Sequence, residues 1–135
     1  MNQYNILIIN PGSTSDEVGY YEGDKEKFHK VMRYDAQQLE PFTNKKITDQ
    51  FKFRKDFVLK ELKYHGIKPG EIDAIIARGG LLKPIPGGTY EVNDKLKEDL
   101  KNEAYGTHAS NLGALIADSI AKETGKKAYI ADPPV

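Results

Sequence analysis

The sequence predicts an α/β domain built on a mixed, five-stranded sheet with helices packed on it. Three observations carry this. The run Ile6-Leu7-Ile8-Ile9 is apolar without alternation and reads as a buried central strand. Two further strand-like runs follow it, separated by short turns, which is the pattern of an antiparallel meander. Beyond them the chain alternates helical and strand patterns, the order expected of βαβ units.

Residues 4–9 form the first predicted strand. Asn10-Pro11-Gly12-Ser13-Thr14-Ser15 is a turn of Pro, Gly and hydroxyl residues leading into a second strand, 16–22. Gly23-Asp24 turns the chain into a third, 26–34, where His29 reads as a partly exposed strand residue. Residues 35–46 are polar and contain Pro41, so they read as a loop, with Thr43 or Asn44 placed to cap the next helix. Ile47, Phe51, Val58 and Leu62 then mark one helical face. Lys52, Arg54, Lys55 and Asp56 read as its solvated face. His65 falls in the last turn, where a cation suits the helix dipole, and Gly66 and Pro69 end the helix.

Residues 72–77 form a short apolar strand that runs into Arg78-Gly79-Gly80. The stretch 81–92 holds Pro84, Pro86, Gly87 and Gly88 and reads as a loop with an extended piece at 89–92. Asn93 caps a short helix at about 94–102. Gly106-Thr107-His108-Ala109-Ser110-Asn111 leads into another, with Leu112, Leu115, Ile116 and Ile120 as its buried face and Gly125 at its end. Gly113 and Ala114 are small enough to let it pack closely on the sheet. A last strand, 128–131, ends at Asp132.

Composition narrows the function. The chain has 135 residues, with Lys+Arg and Asp+Glu balanced at 20 each. Zero net charge argues against a general nucleic-acid binder. No apolar run is long enough to span a membrane, and the start carries no signal-peptide pattern. Cysteine is absent, so neither disulfides nor thiolate chemistry enter. An intracellular protein is expected.

Four places in the chain suit chemistry. The 10–15 turn offers backbone N–H groups and the hydroxyls of Ser13, Thr14 and Ser15 to an anion, although an ordinary polar hairpin loop has the same composition. Arg78, followed by two glycines at a strand's carboxyl end, suits ligand contact, or else pairs with a surface carboxylate. His108 at a helix N-terminus suits capping and packing better than catalysis. Asp132 suits a metal or a phosphate-bearing site, or serves as a turn residue before Pro133. A ribonuclease H-like nuclease would need clustered carboxylates; Asp16 and Asp73 are available, but the core of the first strand has none.

Taken together, the blocks are specific. The segments Ile6–Ser15, Asp49–Lys55, Ala77–Ile85, Gly87–Tyr90, His108–Gly113 and Ala131–Pro133 resemble the N-terminal part of the butyrate kinases. These belong to the acetate and butyrate kinase family of the sugar kinase/Hsp70/actin superfamily. The resemblance covers essentially the whole chain. It implies a ribonuclease H-like, actin-like ATPase domain over 1–135. It also implies phosphoryl transfer from Mg·ATP to a short-chain carboxylate such as butyrate, a reaction that rests on positioning and charge neutralisation. By resemblance, Asn10, Gly12, Ser13, Thr14 and Ser15 bind phosphate. Arg78 binds the carboxylate or the transferring phosphoryl, and His108 donates a hydrogen bond to it. Asp132 orients the metal or the substrate. A cytoplasmic protein with no nucleic-acid or membrane partner follows.

Two departures qualify the expected activity. Where the family has a hydroxyl or apolar residue and then Lys, this chain has Asp16 and Glu17. Each would repel a polyphosphate by on the order of 1 kcal/mol or more, or else would point to solvent and only solubilise the strand. Family members also carry a second lobe, so 135 residues are expected to be weak or inactive alone. A single lobe of a pseudo-symmetric pair is expected to form a homodimer.

Overall fold

The computed structural model describes residues 4–78, 88–104 and 108–131. The meander forms as the sequence requires: β1 (Asn5–Pro11), β2 (Ser15–Glu22) and β3 (Lys25–Arg33) pair antiparallel. β4 (Ala74–Arg78) then lies parallel to β1 on its other side, and β6 (Lys127–Ala131) lies parallel to β4.

Among the described residues the sheet has six strands, in the order β3-β2-β1-β4-β6-β5 with β5 at Thr89–Glu91, and not the expected five. The additional strand is β5, the piece expected to be only an extended part of a loop. It pairs antiparallel with β6, Tyr90 opposite Ile130, and so occupies what would otherwise be an open edge. Three residues are too few to show a period, which is why the sequence did not separate a strand from an extended loop.

Among the described residues four α-helices connect these strands. α1 (Ala36–Leu39) is a single turn inside the expected loop, closed by a capping box between Asp35 and Gln38. α2 (Phe51–Tyr64) starts later than expected. Ile47–Gln50 is a 3-10 turn before it, and neither Thr43 nor Asn44 caps it. α3 (Asp94–Lys101) is capped by Asn93, whose side chain accepts from the Leu96 amide at 2.8 Å. α4 (Asn111–Thr124) ends at Gly125 in the left-handed region, as expected of a helix-stopping glycine.

Strand alternation puts Leu7, Ile9, Val18, Tyr20, Phe28, Ile75, Ala77, Ala128 and Ile130 on the face that packs against Val58 and Leu62 of α2 and Leu112, Ile116 and Ile120 of α4. α4 docks closest at Gly113. A Cβ there would lie 3.1 Å from both Ala77 Cβ and the Arg78 carbonyl oxygen, and 3.3 Å from Pro11 Cδ. The glycine thus seats the start of α4 directly on the carboxyl ends of β1 and β4. On the opposite face Ile8 of central β1 is 37% exposed. His65 has no more than a structural setting: its ring stacks on Phe28 at 3.9 Å.

Candidate functional site

The carboxyl ends of parallel strands are where open α/β sheets bind ligands, and those of the expected site residues that the structure describes lie at or beside these ends. Asn10 and Pro11 end β1. Arg78 ends β4, one residue past the Ile9–Ala77 pair, and is paired in register with Ala131 at the end of β6. The β1–β2 turn rises beside them, and Gly113 brings the start of α4 to the same edge. Glu17, Asn10 and Arg78 therefore stand in one row across three strands, on the face away from α4. Arg78 is exposed. Asp132, Gly79 and Gly80 lie outside the described residues.

The turn is polarised by what lies beneath it. Arg54 of α2, expected on a solvated face, is 0% exposed and points up into the turn. Its guanidinium donates to the carbonyl oxygens of Gly12 (2.9 Å), Ser13 (3.1 Å) and Ser15 (3.0 Å). It also donates to Asp16 Oδ1 (2.9 Å), and through Nε to Gln50 (3.0 Å). The Tyr34 amide takes the remaining carbonyl of the turn, that of Thr14, at 2.8 Å. The Gly12 amide is held by the Ser15 carbonyl at 2.7 Å. Among the described residues the amides of Ser13 and Thr14 have no acceptor, and both residues are exposed. Acceptors are thus tied down on the inner side, and donors are left open on the outer side. A pair of free successive amides is the arrangement that binds anions.

Asp16 does not point to solvent, as one of the two expectations for it had it. It is 1% exposed, on the helix-covered face, between Arg54 and the Tyr34 hydroxyl, which donates to Oδ2. The Tyr34 ring also faces the guanidinium, 5.0 Å from the ring centroid to Cζ. Burial pushes the Asp16 carboxyl up from its ordinary range, while Tyr34 and Arg54 pull it back down. Burial and the bond to Asp16 push the Tyr34 phenol up. Glu17, on the opposite face, is half-exposed. Its Oε2 lies 2.9 Å from His29 Nε2, and its Oε1 accepts weakly from Asn10 Nδ2 at 3.4 Å. The Asn10 side chain therefore already has an acidic partner inside the site.

His108 is exposed, and its Nδ1 accepts from the Ser110 amide at 3.0 Å with Ser110 Oγ 2.8 Å away. A neutral ring held this way carries its proton on Nε2, which is then a donor. The next amides, of Asn111, Leu112 and Gly113, are bonded to the carbonyls of His108, Ala109 and Ser110, so this helix start offers no free N–H there.

For a nucleotide, the open amides and hydroxyls of Ser13 and Thr14 fit phosphate oxygens. Among the described residues there is no group of three or more His, Asp or Glu placed to hold a metal ion. No described helix is long and apolar enough to cross a membrane.

Sequence reasoning missed Arg54, Tyr34 and Gln50. A signal for Arg54 was there: it lies three residues after Phe51 and four before Val58, on the apolar stripe itself.

No protein-family model matches the chain. Butyrate kinase 1 of Clostridium acetobutylicum is 52% identical over 132 residues, which cover 98% of this chain and 37% of that protein. A probable butyrate kinase of Elusimicrobium minutum is 49% identical over 133 residues, covering 98% and 36%. The chain therefore spans little more than a third of the length of these curated relatives. Along nearly its whole length it is similar in sequence to butyrate kinases. Among solved structures, Porphyromonas gingivalis acetate kinase superposes with a TM-score of 0.57 at 16% identity, over 95% of this chain and 37% of that one. The fold is the α/β, actin-like ATPase fold of such kinases.

Proposed function

We propose that this chain is a phosphate-binding lobe of an ATP-dependent short-chain carboxylate kinase of the butyrate kinase type. The observation that supports it most is the polarised turn, whose open Ser13 and Thr14 amides stand at the same sheet edge as Arg78 and His108. Asn10, Gly12, Ser13, Thr14 and Ser15 would hold the nucleotide phosphates. Arg78 would pair its planar guanidinium with the carboxylate or the transferring phosphoryl. His108 would donate its Nε2 proton as a hydrogen bond to that phosphoryl. Asp132 would orient the magnesium or the substrate. Mg·ATP, when bound, supplies the phosphoryl group and neutralises part of its charge.

On this reading these residues would line one wall of a cleft, so 135 residues assayed alone should turn over slowly or not at all. Glu17 weakens anion binding further on this reading, being the acidic group left on the site's own face. A second reading, a non-catalytic half-domain that binds phosphate and self-associates, is favoured by Ile8 and Val31, each 37% exposed on one face of the sheet. On either reading the protein works in the cytoplasm.

The test is ATP-dependent acyl-hydroxamate formation from butyrate with Mg²⁺ and hydroxylamine. Turnover rising with the square of protein concentration would mean that two copies build the cleft. Absence of product, with Mg·ATP still shifting the Ser13 and Thr14 amide resonances, fits both readings, and light scattering then separates them: a dimer favours the self-associating half-domain, a monomer the lobe of a larger kinase. Folded protein that neither turns over nor shows those shifts overturns both. Glu17→Lys should tighten Mg·ATP binding.

A further inference from the structure

We propose that Arg54 is a positioning residue for the phosphate-binding turn: by gathering the carbonyls of Gly12, Ser13 and Ser15 beneath it, the guanidinium turns the Ser13 and Thr14 amides outward. The inference rests on the reading of this turn as a phosphate site.

An arginine has five N–H donors in a fixed planar fork and no acceptor. Here one terminal nitrogen reaches Gly12 O, Ser15 O and Asp16 Oδ1, sharing its two hydrogens among them, the other reaches Ser13 O, and Nε reaches Gln50, all from a position with no solvent access. Carbonyl oxygens on the outer side of the turn would face, and repel, a phosphate. With those oxygens drawn inward, the amides of Ser13 and Thr14 are left open on the outer side of the turn. Gly12 suits the tight path: a Cβ there would lie 3.0 Å from Ser15 Oγ. Asp16 and the Tyr34 hydroxyl complete the arrangement by balancing the buried cation, so Asp16 supports the turn from below rather than opposing an anion above it. A lysine at position 54 has three donors on one nitrogen and cannot span the same set.

The test compares wild-type protein with Arg54→Lys and with the double variant Arg54→Met/Asp16→Asn. The double variant removes both buried charges together, so neither is left unpaired. Inorganic phosphate and Mg·ATP are titrated into each, and amide resonances are followed by NMR, with Ala128 and Ile130 of β6 as a control for the fold. In both variants the Ser13 and Thr14 amides should move while the β6 resonances stay. Phosphate affinity should fall about tenfold or more in the double variant and less in Arg54→Lys, in keeping with hydrogen bonds to a charged group. If the double variant does not fold, Arg54→Lys decides alone. Unchanged turn resonances in a folded variant overturn the proposal, as does unchanged phosphate affinity where the wild type binds. If the wild type binds no phosphate yet the turn rearranges in the variants, the positioning role stands and the phosphate reading falls.

Discussion

Asp16 and Glu17 are consecutive carboxylates on one strand, and they meet opposite surroundings. The Asp16 side chain is 1% exposed against an Arg54 that is 0% exposed; those of Glu17 and His29 are 42% and 44% exposed. The alternation of the strand sets this difference, since Asp16 shares the parity of Val18 and Tyr20, which face the helices. Two charges alike in sequence therefore act differently. One is part of the framework under the turn, and its field is balanced locally. The other stands on the site's own face and is the one that a bound polyphosphate would meet.

Four substitutions test this contrast. The largest effect belongs to Arg54→Met, which strands the Asp16 carboxylate and releases the turn carbonyls. It should lower stability by about 3–5 kcal/mol in denaturant melts. Asp16→Asn keeps the shape and leaves Arg54 its backbone partners, so about 1–3 kcal/mol is expected. Equal losses for the two would mean that the ion pair, and not the carbonyl contacts, dominates.

Tyr20→Phe sharpens the comparison from a different side. The Tyr20 hydroxyl is buried without a partner among the described residues. Its removal should be neutral or stabilising by up to about 1 kcal/mol. Burial also pushes the Tyr20 phenol up to about 12, above its unfolded value of 10.0. The unfolded chain thus loses this proton first, and stability falls as pH rises between those values. Tyr20→Phe should make that alkaline decline shallower, and an unchanged slope would show that Tyr20 does not contribute to it. Glu17→Gln comes last, within about 0.5 kcal/mol, as suits a half-exposed pair with His29. A cost approaching that of Arg54→Met would break the contrast between the two carboxylates.

The meander, the parallel strands and the face of α4 were legible because each is written in local periodicity or turn residues. Leu112, Ile116 and Ile120 are buried as their spacing required, and Asn93 caps as its type suggested. The pairing of β5 with β6 was not legible, because it depends on an edge formed by a strand at the end of the chain. The turn was recognisable by composition, yet its polarity was hidden. Arg54 belongs with the solvated face by residue type, although its position on the stripe argues for burial. The carboxylate that accepts it lies 38 residues away, beyond any local pattern.

Arg54 reaches the turn from 38 to 42 positions further along the chain. The contacts that tie down the Gly12, Ser13 and Ser15 carbonyls therefore form only once α2 has docked. Loop closure on that scale places the event with tertiary assembly rather than with hairpin formation. The dependence runs in both directions: an anion that prefers the ordered turn must also hold α2 more firmly to the sheet. Slower amide hydrogen exchange in α2 on addition of phosphate, far from any contact with it, would be the outward sign of that linkage.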